Sequence, residues 1–465
     1  MKTPEARRRT GIAVLLLTCA LPLVAAPFLD TRGTWGQAYD DLWGLKRIGL
    51  GATPPSAPAG APVIVAVIDS GLDYFHPDLR GDSVWRNPKE IVNGKDDDGN
   101  GYVDDVIGWD FADNDNDPFD FTGHGTFVAG VIVASPLNGA GVLGVNPNVQ
   151  IMPLRVMNSI GRNYPTRTAA AIYYAVQNGA RIINLSLASQ QLSASEKRAV
   201  DYAASKGVLV IAAAGNDGRD VKDYSPASLE NVLTVAATDP QDRRAGFSNF
   251  GGAIDIAAPG VDILSLRARQ TDFMLFAGVK GYKPGANFVG APENRYYRAD
   301  GTSFAAPFVT GVASLVLAAR PTLTAAEVRR MLLQSARDID QPGVDGNTGY
   351  GLLDAKAALA ADPAFFVEAG ITALGVVRKD DGQYVRVSGT AAADRFKEAV
   401  VEIGEGENPG VWQKVGTTLQ APVSAGILAE IPASTFRTAK IWTVRVVSEH
   451  TNGRKREGRF VLKLG

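Results

Sequence analysis

From Val63 onward, short apolar runs without polar alternation, at 63–69, 150–157, 181–187, 208–215 and 232–238, alternate with stretches of helical character. The latter fall around 125–134, 167–178, 194–205, 303–319 and 324–336. Unbroken runs rich in β-branched residues suit strands covered on both faces, so the pattern predicts an α/β domain with a parallel sheet flanked by helices. Ser193 with Glu196 and Thr324 with Glu327 have capping-box spacing, which predicts two of the helix starts independently of hydrophobicity. Near residue 362 the pattern changes. "QYVRVSG", "EAVVEIG" and "IWTVRVVSE" read as strands separated by Gly, Pro, Asn and Asp turns, so 363–465 is expected to be a separate all-β, immunoglobulin-like sandwich.

Upstream, "ATPPSAPAGAP" at 52–62 cannot hold a helix or a central strand, because proline removes donors and fixes φ. The first 27 residues join a basic stretch, Arg7 to Arg9, to an apolar run from Gly11 to Ala26. That is an export leader, and both a cleaved signal peptide and an uncleaved membrane anchor remain open. Four segments result: leader or anchor 1–27, N-terminal segment and linker 28–62, the α/β domain 63–362 with an extension from about 40, and the sandwich 363–465.

Composition narrows the function classes. The 465 residues are 45% hydrophobic and 21% charged, with a formal net charge of -2. No basic field favours nucleic acid. The single cysteine, Cys19, lies inside the leader, so the exported chain has neither a disulfide nor a thiol nucleophile. A bound metal is then a natural staple.

Three residues carry the candidate chemistry. Asp69 ends an apolar strand, where open α/β sheets place their ligand crevices. His124 stands between Gly123 and Gly125 just ahead of a helix, and Ser303 opens a helix whose first turn holds Pro307. Alone, each has an ordinary reading: turn former, helix-entry histidine, N-cap. Together they form a set. A serine hydroxyl is a weak nucleophile that needs a base, and the base needs a third group to hold its tautomer. His76, in a "HPDL" turn, and His450, in the expected sandwich, lack such a setting. A different chemistry is suggested by "NGKDDDGNGYVDD": oxygen donors at alternate positions, Asp96, Asp98, Asn100, the Tyr102 carbonyl and Asp104, with glycine at the sixth place, suit a Ca2+ loop. Position twelve is Ile107 rather than a bidentate glutamate, so the match is partial.

The ordered stretches "VAVIDSGLDYFHPDL", "GHGTFVAG" and "GTSFAAPFVTG" resemble the three signatures of the subtilisin-like serine proteases, the subtilases, over roughly residues 40 to 360. The resemblance implies an exported serine endopeptidase acting on polypeptides through Asp69, His124 and Ser303. It implies Asn216, closing "VLVIAAAGN", as the oxyanion donor. It also implies that Ser186, Leu187 and Ala188 face the specificity pocket, opposite Ala213, Ala214 and Gly215. Small residues there leave room for a bulky apolar side chain beside the scissile bond. Gly161, in "GRNY", falls at the second edge that clamps the peptide. The chain departs from the family pattern at Phe127, Phe304 and Phe308, and at Ala188 where glycine is commoner. The alternative reading is a catalytically inactive peptide-binding or adhesion protein on the same scaffold.

Overall fold

The computed structural model describes residues 41–50, 62–135, 141–276, 281–290 and 293–464. The expected leader or anchor, Cys19 and the linker up to residue 61 lie outside the described residues.

Seven strands form one parallel sheet: β1 (Ile64–Asp69), β2 (Trp109–Asp110), β3 (Gln150–Arg155), β4 (Ile182–Leu185), β5 (Leu209–Ala213), β6 (Val232–Thr238) and β7 (Ile256–Pro259). Their order is β2-β3-β1-β4-β5-β6-β7. The chain therefore builds out on one side of β1, then crosses over and builds on the other. That reversal beside β1 opens a crevice at the carboxyl ends of the strands.

The missing polar alternation has a direct cause. Val65 and Val67 of β1 face one core with Ile211, Val235 and Ile256, while Ala66 and Ile68 face a second core with Met152, Ile183 and Val210. Both faces are covered. The first core is closed by α2 (His124–Val133), α6 (Thr302–Ala319) and α7 (Ala325–Ser335), the second by α3 (Pro165–Gln177) and α4 (Ala194–Ser205). Around them lie α1 (Trp43–Arg47), the four-residue α5 (Phe273–Phe276) and α8 (Ala355–Ala360). A small antiparallel sheet, β8 (Ile263–Leu266), β9 (Phe288–Val289) and β10 (Tyr296–Ala299), packs its β8 against α2.

Of the two expected capping boxes, Thr324 with Glu327 forms in full. The other forms by half. Ser193 Oγ accepts from the Glu196 amide, but the Glu196 carboxylate turns away and accepts instead from the Ser225 hydroxyl.

Beyond residue 362 the chain is antiparallel β: β11 (Val367–Lys379), β12 (Gly382–Ala393), β13 (Phe396–Glu405), β14 (Gln413–Leu419), β15 (Val423–Pro432), β16 (Ile441–His450) and β17 (Lys455–Lys463). They form a three-stranded sheet, β11-β12-β15, and a four-stranded one, β14-β13-β16-β17. Alternate residues such as Val387, Val401, Leu428, Trp442 and Val444 fill the space between the sheets. This is the pattern of a β-sandwich. It meets the α/β part where the Val367 amide donates to Gln334 Oε1 of α7, and where Arg456 lies over the Tyr350 ring at 4.5 Å.

Candidate active site

Asp69 is the last residue of β1 and is fully buried. Its Oδ1 accepts from the Ser70 amide at 2.7 Å and from His124 Nδ1 at 2.7 Å. A carboxylate can only accept, so Nδ1 carries the proton and Nε2 of the neutral ring is left as an acceptor. Asp69 Oδ2 is buried and has no hydrogen-bond partner among the described residues.

The glycines around His124 are sterically required. Gly123, the N-cap of α2, has φ +101, and a Cβ there would stand 2.4 Å from Thr271 Oγ1. A Cβ on Gly125 would stand 2.2 Å from the Gly71 carbonyl oxygen and 3.2 Å from Asp69 Cβ. Larger residues would push His124 away from Asp69. The turn is held from beneath by the buried Asp120, whose carboxylate accepts from the Ser70 hydroxyl, the Gly123 amide and both the amide and the hydroxyl of Thr126. Ser70 Oγ in turn accepts from the Gly125 amide. Burial disfavours the charged imidazole, but the Asp69 carboxylate, by charge and by hydrogen bond, and the charge of Asp120 outweigh it. His124 therefore titrates above the ordinary histidine value.

Ser303 lies in the first turn of α6. Its hydroxyl donates to the Ser186 carbonyl at 3.1 Å, while Ser186 Oγ donates to the Ser303 carbonyl at 2.7 Å. The expected Ser303–His124 hydrogen bond is therefore not made, although both residues line the same cavity. Such links often form only around a bound substrate.

Asn216 follows β5, and its Oδ1 accepts from both the amide and the hydroxyl of Thr302, each at 2.9 Å. With the oxygen held, the amide nitrogen is free to donate. Asn216 lines the cavity with His124 and Ser303.

The cavity measures about 540 Å³. Ser186, Leu187, Ala188, Ala213, Gly215 and Gly161 all line it. Ala214 does not. It is fully buried, packs with Val221 and Tyr224, and its amide and carbonyl are taken by the Val235 carbonyl and by Asn249 Nδ2. Successive residues of an extended strand point to opposite sides, so Ala213 and Ala214 cannot both face the crevice. Sequence reasoning missed other lining residues, above all Glu196, Asp217 and Tyr224.

Two of the three aromatic departures pack together. Phe127 and Phe304 stand 4.3 Å apart between ring centroids, and Phe273 and Phe304 both lie against the His124 ring. Phe308 packs on Gly44 of α1.

In the acidic loop, Glu90, Asp96 and Asp98 bring carboxylate oxygens within 4.8 Å of one another. Glu90 Oε1 accepts the Asp97 and Asp98 amides, while Oε2 is buried without a hydrogen-bond partner among the described residues. Asn100 Oδ1 accepts the amide of Tyr102, whose ring packs against Trp109 and Tyr174. Asp104 turns elsewhere, accepting the Asn93 and Gly94 amides. Three clustered carboxylates with an orphaned buried oxygen suit a hard divalent cation.

A family model described as "Subtilase family" (Peptidase_S8) matches residues 60–351. The chain is 38% identical over 279 residues to the thermophilic serine proteinase of Bacillus sp. (strain AK1), covering 60% of this chain and 57% of that one. It is 33% identical over 347 residues to fervidolysin of Fervidobacterium pennivorans, covering 71% of this chain and 45% of that one. The chain thus spans about half the length of these two relatives. Among solved structures, that of a cold-adapted subtilisin-like serine proteinase matches 68% of this chain and 98% of its own, at 30% identity and a TM-score of 0.52.

Proposed function

The chain belongs to the subtilase family, and from that premise we propose that it is an exported serine endopeptidase that hydrolyses peptide bonds with Ser303 as nucleophile. The observation that carries this reading is the buried Asp69 carboxylate fixing His124 through Nδ1, on the cavity that Ser303 and Asn216 also line. In the first step His124 Nε2 takes the Ser303 proton as Oγ attacks the scissile carbonyl carbon. Asp69 stabilises the resulting imidazolium without taking the proton. The negative charge forming on the carbonyl oxygen is met by the Asn216 amide and the Ser303 backbone N–H. His124 then gives its proton to the leaving amine, and a water repeats the sequence on the acyl-enzyme.

A Ca2+ ion held by Glu90, Asp96 and Asp98 belongs to the same proposal, with a structural role: it neutralises carboxylates that otherwise repel one another. So does export through the N-terminal leader, and so does the sandwich as a separate unit from residue 363.

The second reading, a peptide-binding protein without catalysis, draws support from the Ser303 hydroxyl being engaged with Ser186 rather than His124. A fluorophosphonate probe and an unstructured peptide substrate decide between them. Wild type should be labelled at Ser303 and should cut the peptide. Ser303→Ala and His124→Ala should each abolish most turnover, and their losses should not add, because each disables the same unit. Near wild-type turnover in either single variant would refute the assignment.

A further inference from the structure

The small residues along 186–188 and 213–215 lead the sequence to expect an apolar pocket beside Ser303, and the structure puts acidic residues in its lining. Glu196, 1% exposed, is among the residues that line the cavity with Ser303, and its carboxylate accepts from the Ser225 hydroxyl instead of closing its capping box. Asp217 lines the cavity too, its Oδ2 accepting from the Tyr224 hydroxyl at 2.8 Å. Among the described residues no Lys or Arg lines the cavity. Among the described residues neither carboxylate has a cation within ion-pair distance.

We infer that this cavity is a selectivity pocket for a lysine or arginine on the acyl side of the cleaved bond (P1), with Glu196 as its main determinant and Asp217 as a second acceptor. The inference rests on the peptidase reading for the meaning of P1. Its physical basis is independent of it. The side chain next to the attacked carbonyl must enter the space beside Ser303, between Ser186–Ser189 and Ala213–Gly215. A carboxylate in a dry wall is poorly tolerated when ionised and unpaired. Burial pushes the Glu196 carboxyl up, against the opposing pull of the Ser225 and Thr168 hydroxyls.

An entering ammonium or guanidinium supplies the missing counter-charge, while its methylene stem lies along Leu187, Ala188 and Ala213. A leucine or phenylalanine of similar length would leave the buried carboxyl without a counter-charge. That asymmetry decides against the apolar expectation. It also explains why an inward glutamate stands where a helix start would otherwise use it.

Acetyl-tetrapeptide anilides that differ only at P1 test this on the full chain. Lysine or arginine should exceed leucine and phenylalanine by at least about tenfold in kcat/KM, and Glu196→Gln should shrink that ratio about ten- to hundredfold. Glutamine keeps the shape and the helix-start chemistry, and Asp217→Asn, at the more open rim, should shrink the ratio less. In parallel, binding of the matching acetyl-tetrapeptide acids to Ser303→Ala is measured by calorimetry, where no chemistry is needed. Tighter binding of the lysine and arginine peptides, lost in Ser303→Ala/Glu196→Gln, would support the pocket even if wild type cleaved nothing, in which case the peptidase reading fails alone. Cleavage that favours leucine or phenylalanine, or a ratio unmoved by Glu196→Gln, overturns the inference and leaves the peptidase reading standing.

Discussion

Thr302→Val isolates the orientation of Asn216, the proposed oxyanion donor, from its presence. Thr302 is fully buried, and its hydroxyl makes two bonds that valine cannot: it donates to Asn216 Oδ1 at 2.9 Å and accepts from the Gly215 amide at 3.1 Å. Its own amide still reaches Asn216 Oδ1 at 2.9 Å, so one of the two anchors survives. The orphaned Gly215 N–H costs about 1–3 kcal/mol and the second lost bond about 1 kcal/mol, so a stability loss of about 2–4 kcal/mol is expected. Removing the donor outright, as Asn216→Ala, should lower kcat about 10²–10³-fold, a figure that is subtilisin's own and is borrowed rather than worked out from this chain. With the donor present but half-anchored, the loss should be smaller, about tenfold in kcat, and KM should hardly move because the ground-state carbonyl is not the group being held. Turnover is measured against active sites counted with a fluorophosphonate, alongside a thermal melt. A folded variant with wild-type kcat would show that Thr302 does not set the amide, and a raised KM at constant kcat would assign it to substrate binding instead.

The acid limb of kcat/KM should report a pKa above the ordinary histidine value, since only neutral His124 accepts a proton, and Asp69→Asn should move it down; a limb below that value would contradict the Asp69 and Asp120 effects. The same raised pKa favours the folded state at pH below the unfolded histidine value, and that contribution fades as pH climbs through the folded one. Chelation should lower the unfolding temperature of wild type but change Glu90→Gln far less, and identical melting curves with and without chelator would remove the metal. Phe304→Ala should cost about 3–5 kcal/mol by opening a cavity beside His124, checked by denaturant unfolding, and a loss under 1 kcal/mol would mean the ring cluster is not a packed unit.

Much of the architecture was legible because its signals are local and repeated. Short apolar runs rich in β-branched residues and without alternation suit strands covered twice, and β1, β3, β4, β5 and β6 fall where those runs are. The short β2 and β7, and the small sheet β8–β10, escaped because strands of two to four residues carry no period of their own and, unlike β4, these are not part of a longer apolar run between helical stretches. Asp69, His124 and Ser303 were readable as a set from the chemistry of activating a hydroxyl. What could not be read was the direction of individual side chains. The Glu196 spacing fits a capping box, but its decisive partner, Ser225, is 29 residues away. Glu90 lies outside the alternating donors of the acidic loop, and only the fold brings it to Asp96 and Asp98. Ala214 was lost to strand parity. The phenylalanines at 127 and 304, odd one at a time, are explained by each other.

The helix α6, with Ser303 in its first turn, is buried along nearly all its length and packed on β4, β5, β6 and β7. Under the proposed peptidase reading, that placement bears on lifetime. Local fraying of a surface loop leaves α6, and Ser303 with it, docked on the sheet. Loss of activity on heating should therefore follow the global unfolding rate, with each molecule going from fully active to digestible in a single event rather than fading through half-competent forms.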